Sequence, residues 1–438
     1  MPVRVLRPLH ADDSRVIRLA VPALFTLLAE PMLLLGDSII VGRLGTSALA
    51  ALGVASAVLS TVVSLCVFLA YGSTAAVARE CGAGHPRRAL RRAVSTVWLA
   101  VVLGATLAVA GLVLHSTIVS ALGATGAVAQ DARTYLGISL VGVPAMLVLL
   151  AATGVLRGLG DARTPLVVTT SAAVANVPLN VVLVHVAGLG IAGAAWGTVL
   201  AQAGAAAAAA RSLVTAARRH DVPLTPDWRA VAAVGGAGVP LLVRTASLRV
   251  ALILATYTAT RLGPVPLAAH HVAFSVWTTV ALALDALAIA AQTVVGQALG
   301  GGELERTRRL TWRLCGWGAL AGVVLGVLVL VTRPAYIPWF TADPSVAQAL
   351  STALVLVALL SPVGGVVFVL DGVLIGAGDG PYLAFAGVLT LAVFAPFAAA
   401  ASDLTALWGA FAVFLVARLL TLVLRARGDA WCTVGADP

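Results

Sequence analysis

Long apolar segments constrain the fold of this chain more than any other feature of its sequence. Each segment is about long enough to cross ~30 Å of hydrocarbon as an α-helix. The segments predict twelve membrane-spanning helices, near residues 17–42, 50–78, 93–119, 132–153, 165–186, 190–215, 232–259, 267–297, 310–332, 347–371, 382–400 and 403–424.

The composition agrees with a protein that crosses a membrane many times. Hydrophobic residues make up 60% of the chain and charged residues 11%, and the mean hydropathy is +1.02. A soluble globular protein has roughly 25% charged residues, so this chain has too few to coat a water-soluble domain. We therefore expect the lipid bilayer to surround it.

The chain repeats itself with a constant shift of 218 residues. Pro22 recurs at Pro240, and the Gly-x-Gly-Asp sequence that ends at Asp161 recurs with its end at Asp379. Each repeat holds six predicted spans, and an even number returns the chain to the side where it started. The predicted fold is an all-α integral membrane protein of two pseudo-symmetric six-helix bundles, in a parallel repeat about an axis along the membrane normal.

The positions of the arginines predict the orientation of the chain. The sequence has no lysine, so its 28 Lys and Arg residues are all arginine. They cluster before the first span and after the second, fourth, sixth, eighth and last spans, whereas the other loops hold isolated ones such as Arg43. Because cytoplasmic loops are enriched in positive charge, both termini are predicted to be cytoplasmic in a multi-pass protein of the cell inner (plasma) membrane.

These assignments divide the chain into five predicted segments. They are a cytoplasmic N-terminus (1–16), an N-terminal six-helix lobe (17–216), a cytoplasmic linker (217–230), a C-terminal six-helix lobe (231–425) and a cytoplasmic tail (426–438).

Asp37 is the most informative polar residue of the spans. It lies at about two-thirds of the first span, with no basic residue within a helical turn. An acid in hydrocarbon is costly, so it should face a cavity, a partner or an ion. Asp37 is then either an ion-binding carboxylate or a carboxylate paired across helices for structure alone. Glu30 is the other acid of this span.

The fifth span carries a second group of polar residues. Asn176 and Asn180 are four residues apart and so lie on one helix face. Pro178 between them has no N–H, so the carbonyl of Val174 loses its helical donor. These oxygen atoms suit an ion or water, although asparagines also join membrane helices by hydrogen bonds, and both interpretations stay open here.

Four features of the sequence carry a family resemblance. They are the segment from Pro22 to Gly45 with Asp37, the sequence Asn176-Val177-Pro178-Leu179-Asn180, the stretch from Gly188 to Thr198, and the repeated Gly-x-Gly-Asp turns. Together they resemble the multidrug and toxic compound extrusion (MATE) family, and within it the DinF-like branch, over nearly the whole chain. The resemblance implies rocker-switch antiport, in which an organic, often cationic compound leaves the cell while H⁺ or Na⁺ enters.

The resemblance also implies an ion site in the N-terminal lobe. The site residues of DinF-like relatives match Asp37, Asn176, Asn180 and Thr198 here. The position of Asn180 is commonly an aspartate in that branch, so Asp37 is the one titratable group of the four. Low dielectric disfavours an ionised carboxylate, so H⁺ is the expected coupling ion. Na⁺, held by oxygen atoms of all four residues, is the alternative. No cofactor is expected, and the chain is expected to act as a monomer.

The C-terminal lobe has buried charges of its own. Asp285 lies in the eighth span, Asp371 at the end of the tenth and Arg244 in the seventh. Buried charges are usually paired, which predicts an ion pair between Asp285 and Arg244. The functional alternative is a substrate-cation site or a second proton site. Asp371 is expected near the cytoplasmic interface, where water would solvate it.

Other functions compete with ion-coupled export. A lipid-linked oligosaccharide flippase of the same superfamily should place several cations in its cavity for pyrophosphate, and only Arg244 and Arg249 qualify. A membrane enzyme needs a nucleophile with a base, a metal cluster or a phosphate loop, and the sequence shows no such set. The net charge of +10 is scattered between the spans, which disfavours nucleic-acid binding. The cysteines and histidines lack metal-ligand spacing, so no metal site is predicted.

Overall fold

A computed structural model describes the backbone of residues 9–436 and the side chains of residues 12–436. Over this range the protein is helical and contains no strand, which confirms the predicted fold class. The helices are α1 (Leu9–Gly42), α2 (Thr46–Leu65), α3 (Phe68–Gly82), α4 (Pro86–Ala121), α5 (Gly126–Gly158), α6 (Arg163–Val181), α7 (Gly190–Arg219), α8 (Trp228–Arg261), α9 (Pro264–Gly300), α10 (Leu304–Phe340), α11 (Pro344–Gly376), α12 (Gly380–Ala400) and α13 (Leu404–Arg427).

Twelve helical segments of the described chain are long and apolar enough to cross a membrane, which confirms the predicted number. Two of them are not regular α-helices. The second predicted span is divided into α2 and α3, which are separated by Cys66 and Val67. In the fifth, a π-helical turn (Val182–Val186) follows α6.

The chain forms two compact units, and the boundaries between them lie inside helices. One unit comprises Val21–Gly238, and the other comprises Val239–Pro438 together with the chain up to Ala20. The predicted linker at 217–230 therefore does not mark this division. We call Val21–Gly238 the N-terminal unit and the other the C-terminal unit.

Charged side chains at the start of α1 explain why the part of this helix up to Ala20 belongs to the C-terminal unit. Arg306 of α10 donates to the carboxylate of Asp12 at 2.5 Å. Arg313 forms an ion pair with Asp13, and Arg15 donates to the side-chain carbonyl of Gln297. Residues that the sequence analysis placed in a cytoplasmic N-terminus thus form the first turns of a helix with partners on α9 and α10.

Each unit is built around its own central helix. In the N-terminal unit α5 packs against α2, α3, α4 and α7, and in the C-terminal unit α11 packs against α9, α10 and α13. Small residues allow close packing at matching positions of the repeat. A Cβ added to Gly104 of α4 would lie 2.6 Å from the Cα of Pro144, and one added to Gly322 of α10 would lie 2.6 Å from the Cα of Pro362. Glycine at a membrane helix interface permits such approach of two backbones.

The repeated Gly-x-Gly-Asp sequences form the turns that the sequence predicts. Gly160 has φ of 87° and Gly378 has φ of 78°, a region that glycine occupies at little cost. The aspartate after each turn has a different role. Asp161 accepts hydrogen bonds from the backbone N–H groups of the first turn of α6, whereas the carboxylate of Asp379 accepts one from Arg425 at 2.7 Å.

Candidate functional site

The four predicted ion-site residues meet inside the N-terminal unit. Asp37 comes from α1, Asn176 and Asn180 from α6, and Thr198 from α7. The side chains of Asp37, Asn176 and Asn180 are completely buried, and that of Thr198 is partly buried. These residues are far apart in the sequence, and the packing of α1, α6 and α7 brings all four side chains into contact.

The four side chains form a closed ring of hydrogen bonds. The amide nitrogen of Asn180 donates to Oδ1 of Asp37 at 2.6 Å and to Oδ1 of Asn176 at 3.1 Å. The amide nitrogen of Asn176 lies 3.0 Å from the hydroxyl of Thr198, which in turn lies 3.0 Å from Oδ2 of Asp37. Both carboxylate oxygens of Asp37 therefore accept hydrogen bonds from the ring.

Two glycines of α7 allow it to approach α6 closely enough to complete the ring. A Cβ at Gly193 would lie 2.6 Å from the carbonyl carbon of Leu183 in the π-helical turn. A Cβ at Gly197 would collide with the side-chain oxygen of Asn180. The two glycines of the Gly-Ala-Ala-Trp-Gly sequence thus have a steric explanation. A larger residue at Gly193 or Gly197 would push α7 away from the helix that carries Asn176 and Asn180.

Tyr135 is a site residue that the sequence analysis missed. It lies on α5, its side chain is 2% exposed, and it is a further hydrogen-bond partner of Asp37. Its position inside the fourth predicted span, next to ordinary core residues, gave no periodic or motif signal. A polar aromatic residue in a mostly apolar span was the one available indication.

The ring holds a carboxylate without a neighbouring cation. Within residues 12–436, Asp37 has hydrogen-bond donors and no ion-pair partner. Burying an unpaired charge is costly, so the arrangement favours either a proton on Asp37 or a cation beside it. Glu30, the other acid of the first predicted span, is exposed and lies outside the ring.

The donor pattern of the ring fits a proton better than a sodium ion. Na⁺ needs oxygen ligands, but Asn180 presents its amide nitrogen to Asp37. The amide oxygen of Asn180 is buried, has no hydrogen-bond partner among the described residues, and lies against Gly197. A sodium ion beside Asp37 would need this amide to turn its oxygen toward the ion, whereas a proton needs no shell of oxygen ligands.

Asp371 of the C-terminal unit has two partners that the sequence analysis did not predict. Oδ2 of Asp371 accepts a hydrogen bond from Arg244 at 2.9 Å, and both of its oxygens accept from Arg418, at 2.8 and 2.5 Å. Asp371 is 5% exposed, so the expectation that water solvates it is wrong. The reason is local, because Arg244 of α8 and Arg418 of α13 both bind its carboxylate.

Arg418 was also missed, although it is an arginine in the middle of the last predicted span. Such a residue should have been assigned a buried counter-ion. The predicted pairing of Asp285 with Arg244 stays a prediction. Among the described residues, no three His, Cys, Asp or Glu side chains come together as a metal site.

The repeat and the fold both match known proteins. The family model described as MatE matches residues 22–182 and again residues 240–399. The two matches begin 218 residues apart, which is the shift of the internal repeat.

Relatives over nearly the full length give the same result. Protein DETOXIFICATION 44, chloroplastic, of Arabidopsis thaliana is 30% identical over 92% of this chain and 80% of its own length. DNA damage-inducible protein F of Escherichia coli K12 is 26% identical over 94% of this chain and 92% of its own length. The crystal structure of the Vibrio cholerae MATE transporter VcmN in the bent form shares the fold, with a TM-score of 0.87, 20% identity, and coverage of 96% of this chain and 99% of that one.

Proposed function

Because the chain belongs to the MATE family of membrane transporters, we propose that it is a secondary antiporter that exports an organic, cationic or amphipathic compound in exchange for H⁺. The observation that supports the coupling step is the ring around Asp37, in which a fully buried carboxylate has hydrogen-bond donors and no ion-pair partner within the described chain. The proposal involves one chain, a small organic substrate and the bilayer, and no enzymatic step, cofactor or nucleic acid.

The ring supplies a physical basis for coupling. When Asp37 is ionised, the amide of Asn180 and the hydroxyl of Thr198 both stabilise its charge. A proton on one carboxylate oxygen makes that oxygen a donor, so at least one ring partner must reverse its role or move away. α1, α6 and α7 each contribute to the ring, so protonation would change how they pack. A ligand that favours one arrangement shifts the population toward it.

We further propose that the protein lies in the cell inner membrane with both termini in the cytoplasm. The support is the distribution of arginines, because clusters flank the predicted cytoplasmic ends of the spans. The flippase alternative loses support, since Arg244 hydrogen-bonds to the buried carboxylate of Asp371 and so is not available as it stands for a pyrophosphate.

Gradient-driven transport by purified protein in proteoliposomes tests this function. Ethidium serves as the cationic probe, and its movement is followed by fluorescence after a pH jump in Na⁺-free buffer. A parallel sample receives a Na⁺ jump at constant pH. We expect movement after the pH jump and none above protein-free vesicles after the Na⁺ jump. Ethidium movement after the Na⁺ jump alone would identify Na⁺, and not H⁺, as the coupling ion. If neither jump moves ethidium, and neither moves an anionic dye in a repeat of the assay, the result would contradict antiport.

A further inference from the structure

Ser139 is a buried polar residue of the N-terminal unit that the hydrogen-bonded ring does not explain. It lies on α5 and is 4% exposed, and its hydroxyl has no hydrogen-bond partner of normal geometry among the described residues. A serine inside a helix can bond to the backbone carbonyl four residues earlier, as Ser361 of α11 does to Val357 at 2.8 Å. Buried polar groups are nearly always satisfied, so the unused hydroxyl of Ser139 needs a partner.

Tyr135 connects Ser139 to the ring. The two residues are four apart on α5 and so lie on one face of this helix. The hydroxyl of Tyr135 has three side-chain neighbours with which it can hydrogen-bond, and they are Asp37, Thr198 and Ser139. This hydroxyl therefore has one neighbour outside the ring, and that neighbour has an unused acceptor oxygen.

The internal repeat also associates Ser139 with the ring. The shift of 218 residues places apolar residues at the positions of Asp37, Tyr135, Ser139, Asn176 and Asn180; they are, in that order, Ala255, Ala353, Val357, Phe394 and Ala398. These five counterparts are buried in one hydrophobic cluster of the C-terminal unit. The half that lacks the carboxylate thus has a valine where the other half has the serine hydroxyl.

Two donors of the ring already have a second acceptor. The amide of Asn180 donates to Asn176 as well as to Asp37. The hydroxyl of Thr198 lies 3.1 Å from the carbonyl oxygen of Ala194 and 3.0 Å from Asp37, and its one proton serves one of them at a time. A proton on Asp37 turns an acceptor oxygen into a donor, and a second acceptor then keeps the displaced group satisfied. The tyrosine hydroxyl needs such an acceptor too.

We propose that Ser139 is a positioning residue of the ion site, which accepts a hydrogen bond from Tyr135 when Asp37 is protonated. When Asp37 is ionised, the hydroxyl of Tyr135 donates to its carboxylate instead. The side chains that act on Asp37 from α5, α6 and α7 are this tyrosine, two asparagines and a threonine, and none of them is charged. The proton is the coupling ion of the proposed antiport, so the assignment of Ser139 rests on that function.

Infrared difference spectroscopy of the full-length protein in lipid nanodiscs, at low minus high pH, tests this assignment. In the wild type we expect the band of a protonated carboxyl group that Asp37→Asn lacks. A tyrosine band that Tyr135→Phe lacks should appear with the same pH dependence, because the tyrosine changes its acceptor. Absence of either band from the wild-type spectrum would overturn the assignment without any variant at Ser139.

Substitution of Ser139 tests its role directly. Ser139→Ala removes the acceptor that stabilises the protonated state, so the pH at which half of Asp37 is protonated should fall by about half a unit to one unit, the shift expected from the loss of one neutral hydrogen bond. Ser139→Thr keeps the hydroxyl and should titrate like the wild type. A wild-type midpoint in Ser139→Ala would overturn the assignment.

Ser361→Ala is the matched control, because it removes a buried hydroxyl that α11, the counterpart of α5, satisfies on its own carbonyl. It should leave the midpoint unchanged, and a shift equal to that of Ser139→Ala would also overturn the assignment. The titration needs no gradient and no substrate. A lowered midpoint without ethidium transport by the wild type would support Ser139 and contradict antiport, whereas transport with an unshifted midpoint would contradict the role of Ser139 alone.

Discussion

At the scale of single residues, one carboxylate and the neutral groups that hydrogen-bond to it form the candidate ion site. Asp37 accepts from Asn180 and Thr198, and Asn176 connects those two residues, so each side chain of the ring fixes the next. Hydrogen bonds to a charged group contribute about 1.5–3 kcal/mol each, more than typical neutral ones. A small displacement of one partner should therefore weaken the hydrogen bonds that stabilise the Asp37 carboxylate.

Gly197→Ala tests the packing that holds this ring. The added methyl would collide with the amide oxygen of Asn180, and overpacking of this kind typically costs about 1–3 kcal/mol. We expect lower thermal stability in detergent and a loss of gradient-driven ethidium movement. The control is Gly204→Ala on the same helix, where an added Cβ has no neighbour within 4 Å. It should retain transport, and equal behaviour of the two variants would contradict the steric argument.

At the scale of helices, a buried ion cluster joins three elements of the C-terminal unit. Asp371 of α11 binds Arg244 of α8 and Arg418 of α13, and all three are less than a tenth exposed. Removing one partner of a buried ion pair leaves an uncompensated charge, which costs about 3–5 kcal/mol. The cluster thus fixes the packing of α8 and α13 on α11.

Asp371→Asn should therefore destabilise the protein by about 3–5 kcal/mol, because two buried arginines lose their shared counter-ion. The comparison is Asp221→Asn, which breaks the exposed pair with Arg87, where the two side chains are 83% and 66% exposed. That change should cost less than about 1 kcal/mol. The free energy of unfolding of each variant is measured by denaturant unfolding in detergent. A similar loss of stability in both variants would show that the buried cluster does not stabilise the packing of α8 and α13 on α11.

Helix packing also separates what the sequence could predict from what it could not. The length of each apolar segment is sufficient to predict the twelve spans, and the four-residue spacing of Asn176 and Asn180 is sufficient to place them on one face. The division of the second span at Cys66, and the partners of Asp371, depend on how neighbouring helices meet. Tyr135 was missed because one tyrosine carries no spacing to interpret, whereas Arg418 could have been recognised as a charge inside a span.

At the scale of the whole molecule, the repeat supplies two similar scaffolds with different interiors. The turns at Gly160 and Gly378 and the glycine–proline contacts at Gly104 and Gly322 recur in both. The buried charges do not recur, because Asp37 corresponds to Ala255 and Asp371 corresponds to Thr153. The residues that recur therefore determine the fold common to both halves, and the buried charges that do not recur distinguish the interior of one half from that of the other.

The parallel repeat also makes a prediction about orientation. With six spans in each half, both termini lie on one side of the membrane, and the arginine clusters predict the cytoplasm. A fluorescent protein fused after Pro438 should fluoresce in cells. Alkaline phosphatase inserted after Asp343, between α10 and α11, should be active, because that loop is expected outside. Phosphatase activity from the C-terminal position would contradict the assigned orientation.

Gradient-driven transport by Asp37→Asn tests whether Asp37 binds the coupling proton. Asparagine has nearly the same shape as aspartate but cannot be protonated, so the protein should fold and still bind ethidium without moving it after a pH jump. Glu30→Gln is the matched control, since Glu30 is the other acid of the first predicted span and is exposed. It should transport like the wild type. Transport by Asp37→Asn at the wild-type rate after the same pH jump would contradict the account.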